Sequence, residues 1–313
     1  GKIVILLLIQ LGGLGVISFT TGIMVLIGRK ITLKDRLLLE SAFNLDNLSG
    51  LVRFLGKVFK GTMLIEGVGA LLSMPVFCPK YGLRGIWISI FHSVSAFCNA
   101  GIDILGPNSL EPYANNLWLN LVTMALIILG GIGFIVWWDV LRVAGMVRRG
   151  EIRKGLFWQR LGLHTKITLF TTAVLIVGGW VLFLLMEWDN PETLGSLNPA
   201  SRVLAALFQS VTTRTAGFAT VPQSGLRTES VLLSVVLMFI GGSSVGTAGG
   251  VKTSTIALIF LSAASVIRGR ETVTAYHRTI PEKLVRRASA IVAISLATLL
   301  MATALLSLFQ VGN

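Results

Sequence analysis

Phe91-His92-Ser93-Val94-Ser95-Ala96-Phe97-Cys98-Asn99-Ala100-Gly101-Ile102-Asp103 and Phe208-Gln209-Ser210-Val211-Thr212-Thr213-Arg214-Thr215-Ala216-Gly217-Phe218 carry one pattern twice. Each begins as Phe-x-Ser-Val and reaches an Ala-Gly pair, with a one-residue difference in spacing. The apolar stretches that hold them, Gly85–Ala100 and Ser201–Thr213, are shorter than the roughly 20 residues a membrane-spanning helix needs. They read as re-entrant or buried segments.

Longer apolar runs surround them. Ile3–Ile27, Leu117–Val136, Ile167–Met186 and Ala288–Val311 carry no charge. Gly61–Pro79 carries only Glu66, and Ser230–Ile267 carries only Lys252 and is too long for one simple span. The chain of 313 residues is 53% hydrophobic and 13% charged, with a mean hydropathy of +0.79. That composition excludes a disordered chain and argues against a soluble globular enzyme. Glycine is abundant without a collagen period. Cys78 and Cys98 are too few for a disulfide framework or a four-thiolate metal site. The expected fold class is an all-α membrane protein of six spanning helices and two re-entrant hairpins.

Charge sets the topology. Of 27 Lys and Arg, seven lie in Arg29–Lys60, seven in Arg142–Lys166 and six in Arg268–Arg287. Basic loops mark the cytoplasmic side. All three face it only if six runs cross and the two short stretches do not. The outer connections, Lys80–Asn116 and Glu187–Glu229, hold Asp103, Glu111, Glu187, Asp189, Glu192 and Glu229. The net charge of +13 reads as topology and contact with anionic headgroups in the lipid bilayer. No nucleic-acid partner is implied, because no basic domain stands apart from the apolar runs. The opening run lacks the flanks of a signal peptide, and the chain reads as a piece of something longer.

Three inward-running helices share a glycine signature: Gly12-Gly13-Leu14-Gly15, Gly130-Gly131-Ile132-Gly133 and Gly241-Gly242-Ser243-Ser244-Val245-Gly246. With the paired short stretches they define a repeat of outward helix, short descending helix, loop and inward helix. Residues 1–57 are the inward helix of one unit and its cytoplasmic loop. Residues 58–160 form a second unit, with pore helix 84–97, strand 98–102 and helix 117–142. Residues 161–270 form a third, with pore helix 200–213, strand 214–218 and a helix broken at 241–250. Residues 271–313 open a fourth.

Irregular backbone at membrane depth survives only where it lines a cavity or is buried in protein. A strand that turns its carbonyls to one side replaces the water around a dehydrated cation, and glycine permits the backbone angles this demands. The strands Asn99-Ala100-Gly101 and Thr215-Ala216-Gly217 are the candidates. The segment of Gly241, Gly242, Ser243, Ser244, Gly246, Thr247, Gly249 and Gly250, followed by Lys252, would sit beneath them and obstruct ions. Gly246–Thr253 does not make a phosphate-binding loop, since Val251 stands where that motif needs glycine.

These residues resemble the membrane subunit of the Trk/Ktr/HKT potassium-transport superfamily, and most of all its KtrB-like branch. The resemblance rests on Gln10–Thr21 with Gly28-Arg29-Lys30-Ile31, Ser95–Asp103, Ser210–Thr220, Gly241–Thr253 and Arg278–Arg287. It implies potassium uptake, in some members sodium-dependent, across the cytoplasmic membrane, with no cofactor and no enzymatic activity. It implies filter residues Asn99, Ala100, Gly101, Thr215, Ala216 and Gly217, and a gating loop at 241–250. It implies a homodimer on a cytosolic ring of nucleotide-binding regulatory subunits. The family has four filter strands; these residues carry two, and alone they are expected not to conduct. The alternative is a broken-helix carrier for another monovalent cation such as sodium, which would call for inverted repeats.

Single residues have two readings each. Glu66 is a functional carboxylate or a hydrogen-bond partner for a neighbouring helix. Arg214 is expected to hold its loop from behind through carbonyls or acids rather than meet ions, since its charge repels cations. Lys252 tethers the loop or snorkels to the inner surface. His92 is expected to be packed and neutral, and Cys98 to matter through its backbone. Asp103 concentrates cations or caps local backbone. Trp137 and Trp138 fit an inner interfacial belt.

Overall fold

The computed structural model describes residues 1–15, 51–270, 272–276 and 278–310. Expectations for residues 16–50, among them the rest of the first apolar run and most of the first basic loop, lie outside them. The helices are α1 (Lys2–Leu14), α2 (Leu51–Tyr81), α3 (Leu83–Phe97), α4 (Leu117–Gly131), α5 (Phe134–Arg148), α6 (Leu163–Glu187), α7 (Pro199–Thr212), α8 (Thr228–Phe239), α9 (Thr253–Ile267) and α10 (Glu282–Gln310), with a single turn at Phe157–Arg160. A two-residue antiparallel ribbon, β1 (Thr274–Ala275) and β2 (Arg278–Thr279), precedes α10; its brevity leaves no periodicity to read in the sequence.

Among the described residues, α2, α6 and α10 are long and apolar enough to cross a membrane unbroken. Leu64, Leu71, Phe170, Leu185, Leu300 and Met301 stand out from them, more than half exposed. In water such faces would be costly; in lipid they are the natural surface.

The two short stretches form hairpins against the long helices. Gly82, at φ +58°, reverses the chain between α2 and α3. A Cβ at Gly85 would meet the Cys78 backbone, and one at Gly69 the Ser93 hydroxyl, so α3 runs back along α2. The chain then returns to its starting level, where Tyr113 lies 3.5 Å from the Tyr81 hydroxyl. The second hairpin repeats this. Asn198 caps α7 by accepting from the Ser201 amide at 2.9 Å, with Pro199 following in the first turn. Trp180 donates to the Val203 carbonyl and Ser210 to the Ile176 carbonyl, so α7 descends along α6. The chain returns at Arg227, whose amide donates to Glu187 at 2.9 Å.

One expectation needs correction. The single helix expected over 117–142 is two helices, α4 and α5, that meet at 99°. Gly133 sits at φ +89°, which ends any right-handed helix. The break leaves the carbonyls of Gly130 and Gly131 without helical partners. They accept instead from the amides of Thr247 at 3.1 Å and Ser243 at 2.8 Å. The Ser230–Ile267 run divides as expected, into α8 and α9.

Candidate functional site

Both hairpins end in strands with the same backbone signature. Asn99 and Gly101 have φ of 52° and 64°; Thr215 and Gly217 have φ of 69° and 94°. The Ala100 amide donates to the Ser95 carbonyl, and the Ala216 amide to the Thr212 carbonyl, each at 2.9 Å. The first bond spans five residues and the second four, which absorbs the one-residue difference between the two motifs. Left-handed conformation costs a side-chain-bearing residue about 1–2 kcal/mol. Hydrogen bonds hold both such residues: Asn99 Nδ2 donates to Thr247 Oγ1 at 2.7 Å, and Thr215 Oγ1 accepts from the Gly249 amide at 3.0 Å.

The strands face one another through their glycines. A Cβ at Gly101 would collide with the Ala216 carbonyl oxygen and the Gly217 backbone, whereas one at Gly217 would lie 3.5 Å from the Gly101 Cα. Among the described residues no three His, Cys, Asp or Glu side chains gather into a metal site. Peptide carbonyls and hydroxyls are the oxygen donors on offer.

The glycine segment lies directly against both strands. Its neck is closed by an Ile240–Val251 bridge and by the Gly242 amide donating to the Gly249 carbonyl at 3.2 Å. Thr247 donates to the Phe97 carbonyl at 2.8 Å, which brings Gly241–Gly250 under the end of the first pore helix. Ser243 is buried beside Thr168, 3.3 Å away. Lys252 donates to the Ala248 carbonyl at 2.9 Å, a tether to the loop rather than a reach to the inner surface. At 1.5 Å per residue, Thr172 (beside Arg214) and Thr168 (beside Ser243) lie about 22 and about 28 Å from Glu187 along α6. Strands and loop are therefore stacked along the axis of α6.

Behind the two strands the chemistry differs. Glu66 is buried; it accepts from Gln10 of α1 at 3.2 Å and lies 3.7 Å from the Cys98 thiol, while its carbonyl accepts from Ser93 at 2.7 Å. It thus joins α1, α2, α3 and the first strand, the neighbour-bonding reading. The Cys98 side chain is packed against Gly13, where no Cβ would fit. Arg214 is 4% exposed and reaches the Thr172 hydroxyl at 3.4 Å. It stands behind the second strand, and its partner is a hydroxyl rather than a carbonyl or an acid. His92 is packed, 2.8 Å from Thr123 and 5.1 Å, ring to ring, from Phe218 of the other hairpin.

Outside the strands, Asp103 accepts from the Leu105 amide at 3.0 Å, which caps local backbone. Trp137 is not part of an interfacial belt: it is buried, donates to the Leu129 carbonyl and packs on Phe97 at 5.6 Å. The α4–α5 bend turns it inward. Trp138 stays at the edge, 5.5 Å from the Lys57 amine. Sequence reading missed the role of Glu187, which is buried and accepts from Asn190 and Thr193, each at 2.6 Å. The signal was an acid followed closely by Asn and Thr at a helix end. It also missed Gly130 as the seat of the loop, for its glycines are equally suited to helix packing.

The profile of TrkH, described as a cation transport protein, matches residues 1–313. The potassium/sodium uptake protein NtpJ of Enterococcus hirae is 36% identical over 311 residues, 99% of this chain and 66% of the relative. The Ktr system potassium uptake protein B of Bacillus subtilis is 35% identical over 297 residues, 95% of this chain and 64% of the relative. The chain therefore spans slightly less than two thirds of the length of these relatives. The crystal structure of the potassium transporter TrkH from Vibrio parahaemolyticus superposes with a TM-score of 0.68 at 18% identity, over 98% of this chain and 58% of that one; that likeness speaks to the fold. On the match along its full length, the chain belongs to the TrkH family of cation transport proteins and is a membrane protein of that fold.

Proposed function

We propose that this chain is part of a potassium-uptake protein of the cell membrane. In this reading, ions cross through a filter that includes the backbone of Asn99-Ala100-Gly101 and Thr215-Ala216-Gly217, and Gly241–Gly250 obstructs the path beneath. The observation that carries the reading is the twofold occurrence of one backbone: left-handed residues two apart in each strand, with the glycines apposed. Alternating handedness brings successive carbonyls of a strand toward one side, the arrangement a dehydrated cation needs. Relatives named for potassium and for potassium/sodium uptake support the cargo. No cofactor enters this reading. A homodimer on a cytosolic nucleotide-binding ring is its expected assembly, supported by relatives named as components of a Ktr system.

The test uses the full-length protein in cells lacking potassium uptake. Growth at low potassium and rubidium uptake, with and without sodium, should be restored. Gly101→Ser and Gly217→Ser should each lower uptake or selectivity while protein levels at the membrane hold. Unchanged selective uptake in both variants would refute the filter assignment. Uptake of sodium in place of potassium or rubidium would point to the carrier for another monovalent cation instead.

A further inference from the structure

A cavity of about 440 Å³ lies on the far side of the glycine loop from the strands, between the starts of α6, α9 and α10. Its lining includes His164, Lys252 and Arg287, with the hydroxyls of Ser244, Ser254 and Thr255 and, among the described residues, no Asp or Glu. Two helices begin there without a side-chain cap: α6 at Gly162 and α9 at Lys252. The positive end of a helix dipole favours an anion; at α6 the Asp139 carboxylate already accepts from the Gly162 amide at 2.7 Å, and at α9 the Thr253 amide donates to the Gly242 carbonyl at 3.0 Å. His164 Nε2 is buried without a hydrogen-bond partner among the described residues. Arg287 has no ion pair among them, whereas its neighbour Arg286 lies 3.5 Å from Glu282. Two cationic side chains, an imidazole nitrogen without a partner and hydroxyls facing one space are donors that a tetrahedral oxyanion takes up.

The lining also holds apolar Leu258, Leu284 and Ile291. The cavity adjoins two of the basic loops, Arg142–Lys166 and Arg268–Arg287, that mark the cytoplasmic side. A cation path would not be lined in this way, so the cavity is distinct from the strands above it.

We propose that this cavity binds the phosphate group of an anionic ligand, either the phosphodiester headgroup of an acidic lipid or inorganic phosphate. Lys252 links the site to the loop, because the amine that would meet the anion also holds the Ala248 carbonyl. The proposal does not rest on the filter reading, and its test reads binding rather than flux.

The full-length protein, stripped of lipid in neutral detergent, is titrated with dioleoylphosphatidylglycerol, dioleoylphosphatidylcholine or inorganic phosphate. Native mass spectrometry follows lipid retention, and the thermal unfolding midpoint follows phosphate. A lipid site is expected to retain phosphatidylglycerol at least tenfold better than phosphatidylcholine, with that preference lost in Arg287→Gln and His164→Leu. A free-phosphate site is expected to raise the midpoint with the same dependence on Arg287, while the two lipids bind equally. Arg287 is exposed and its replacement should not disturb folding, so it stands if His164→Leu does not fold. Lys283→Gln, exposed and outside the lining, is the control. Binding of neither probe, binding unchanged in Arg287→Gln, or an equal loss in Lys283→Gln would overturn the proposal.

Discussion

The hairpins α2–α3 and α6–α7 deliver nearly the same strand to the centre of the molecule, yet they support it with different side chains. Behind Asn99–Gly101 stands the carboxyl group of Glu66, joined to Gln10 and beside Cys98. Behind Thr215–Gly217 stands a guanidinium, Arg214, which meets Thr172. Their inward helices differ as well. After the first strand the chain bends 99° at Gly133; after the second it opens into a ten-residue glycine segment. The free carbonyls at the bend receive the amides of that segment. A duplicated unit has thus kept its strand backbone and diverged in the scaffold, so that one copy forms the seat for the other's loop.

The glycines offer the sharpest way to break the apparent equality of the strands. Gly101→Ser should abolish rubidium uptake by the full-length protein, because its Cβ has no room beside Ala216 and its φ is positive. Gly217→Ser has room and bears only the backbone cost, about 1–2 kcal/mol. It should retain measurable uptake with altered selectivity. Equal loss in both would show that steric contact between the strands is not what sets them apart.

The seat and the loop can be separated next. At Gly130 a Cβ would collide with the Phe97 carbonyl, while at Gly249 nothing lies within 4 Å. Gly130→Ala should lower the thermal midpoint sharply, by the equivalent of about 2–3 kcal/mol, in the range of overpacked cores. Gly249→Ala should shift it by less than about 1 kcal/mol. A reversed order would mean that the loop is not seated on the α4–α5 bend.

The two side chains behind the strands should respond with opposite sign. Glu66→Leu strands the buried Gln10 amide and should cost about 1–3 kcal/mol. Arg214→Met removes a buried cation whose only hydrogen bond among the described residues is to Thr172, and should leave the midpoint unchanged or raised. A strong loss in Arg214→Met would reveal an anionic partner outside the described residues. A modest effect on stability is expected from Thr247→Val. It removes bonds to Asn99 and Phe97, costs about 1 kcal/mol, and should loosen the loop enough to raise basal uptake.

Much of this was legible before any coordinates. Uncharged runs near bilayer length and the doubled Phe-x-Ser-Val…Ala-Gly pattern define spans and hairpins, and three clusters of Lys and Arg predict the cytoplasmic side. They do so because burial in lipid and backbone satisfaction are properties of local composition. The packing of His92 and the tether of Lys252 were also anticipated. The break in 117–142 was not, because Gly-Gly-x-Gly serves equally for close helix packing and for a bend. Which occurs depends on whether a partner arrives to take the freed carbonyls. Trp137 was misassigned for the same reason, since the bend turned a residue expected at the surface into the core.

The amino-acid order by itself determined that this is a membrane protein of repeated hairpins, with two Ala-Gly strands and a glycine-rich break at set positions. Only the tertiary structure decided that Thr247 and Ser243 dock on Gly130 and Gly131, that Gly101 and not Gly217 is sterically confined, and that Glu66 and Arg214 stand behind different strands. The reason is one of range. Hydropathy and backbone freedom act within a few residues, whereas a carbonyl released at position 130 finds its donor more than a hundred residues away, by a route that only the packed chain provides.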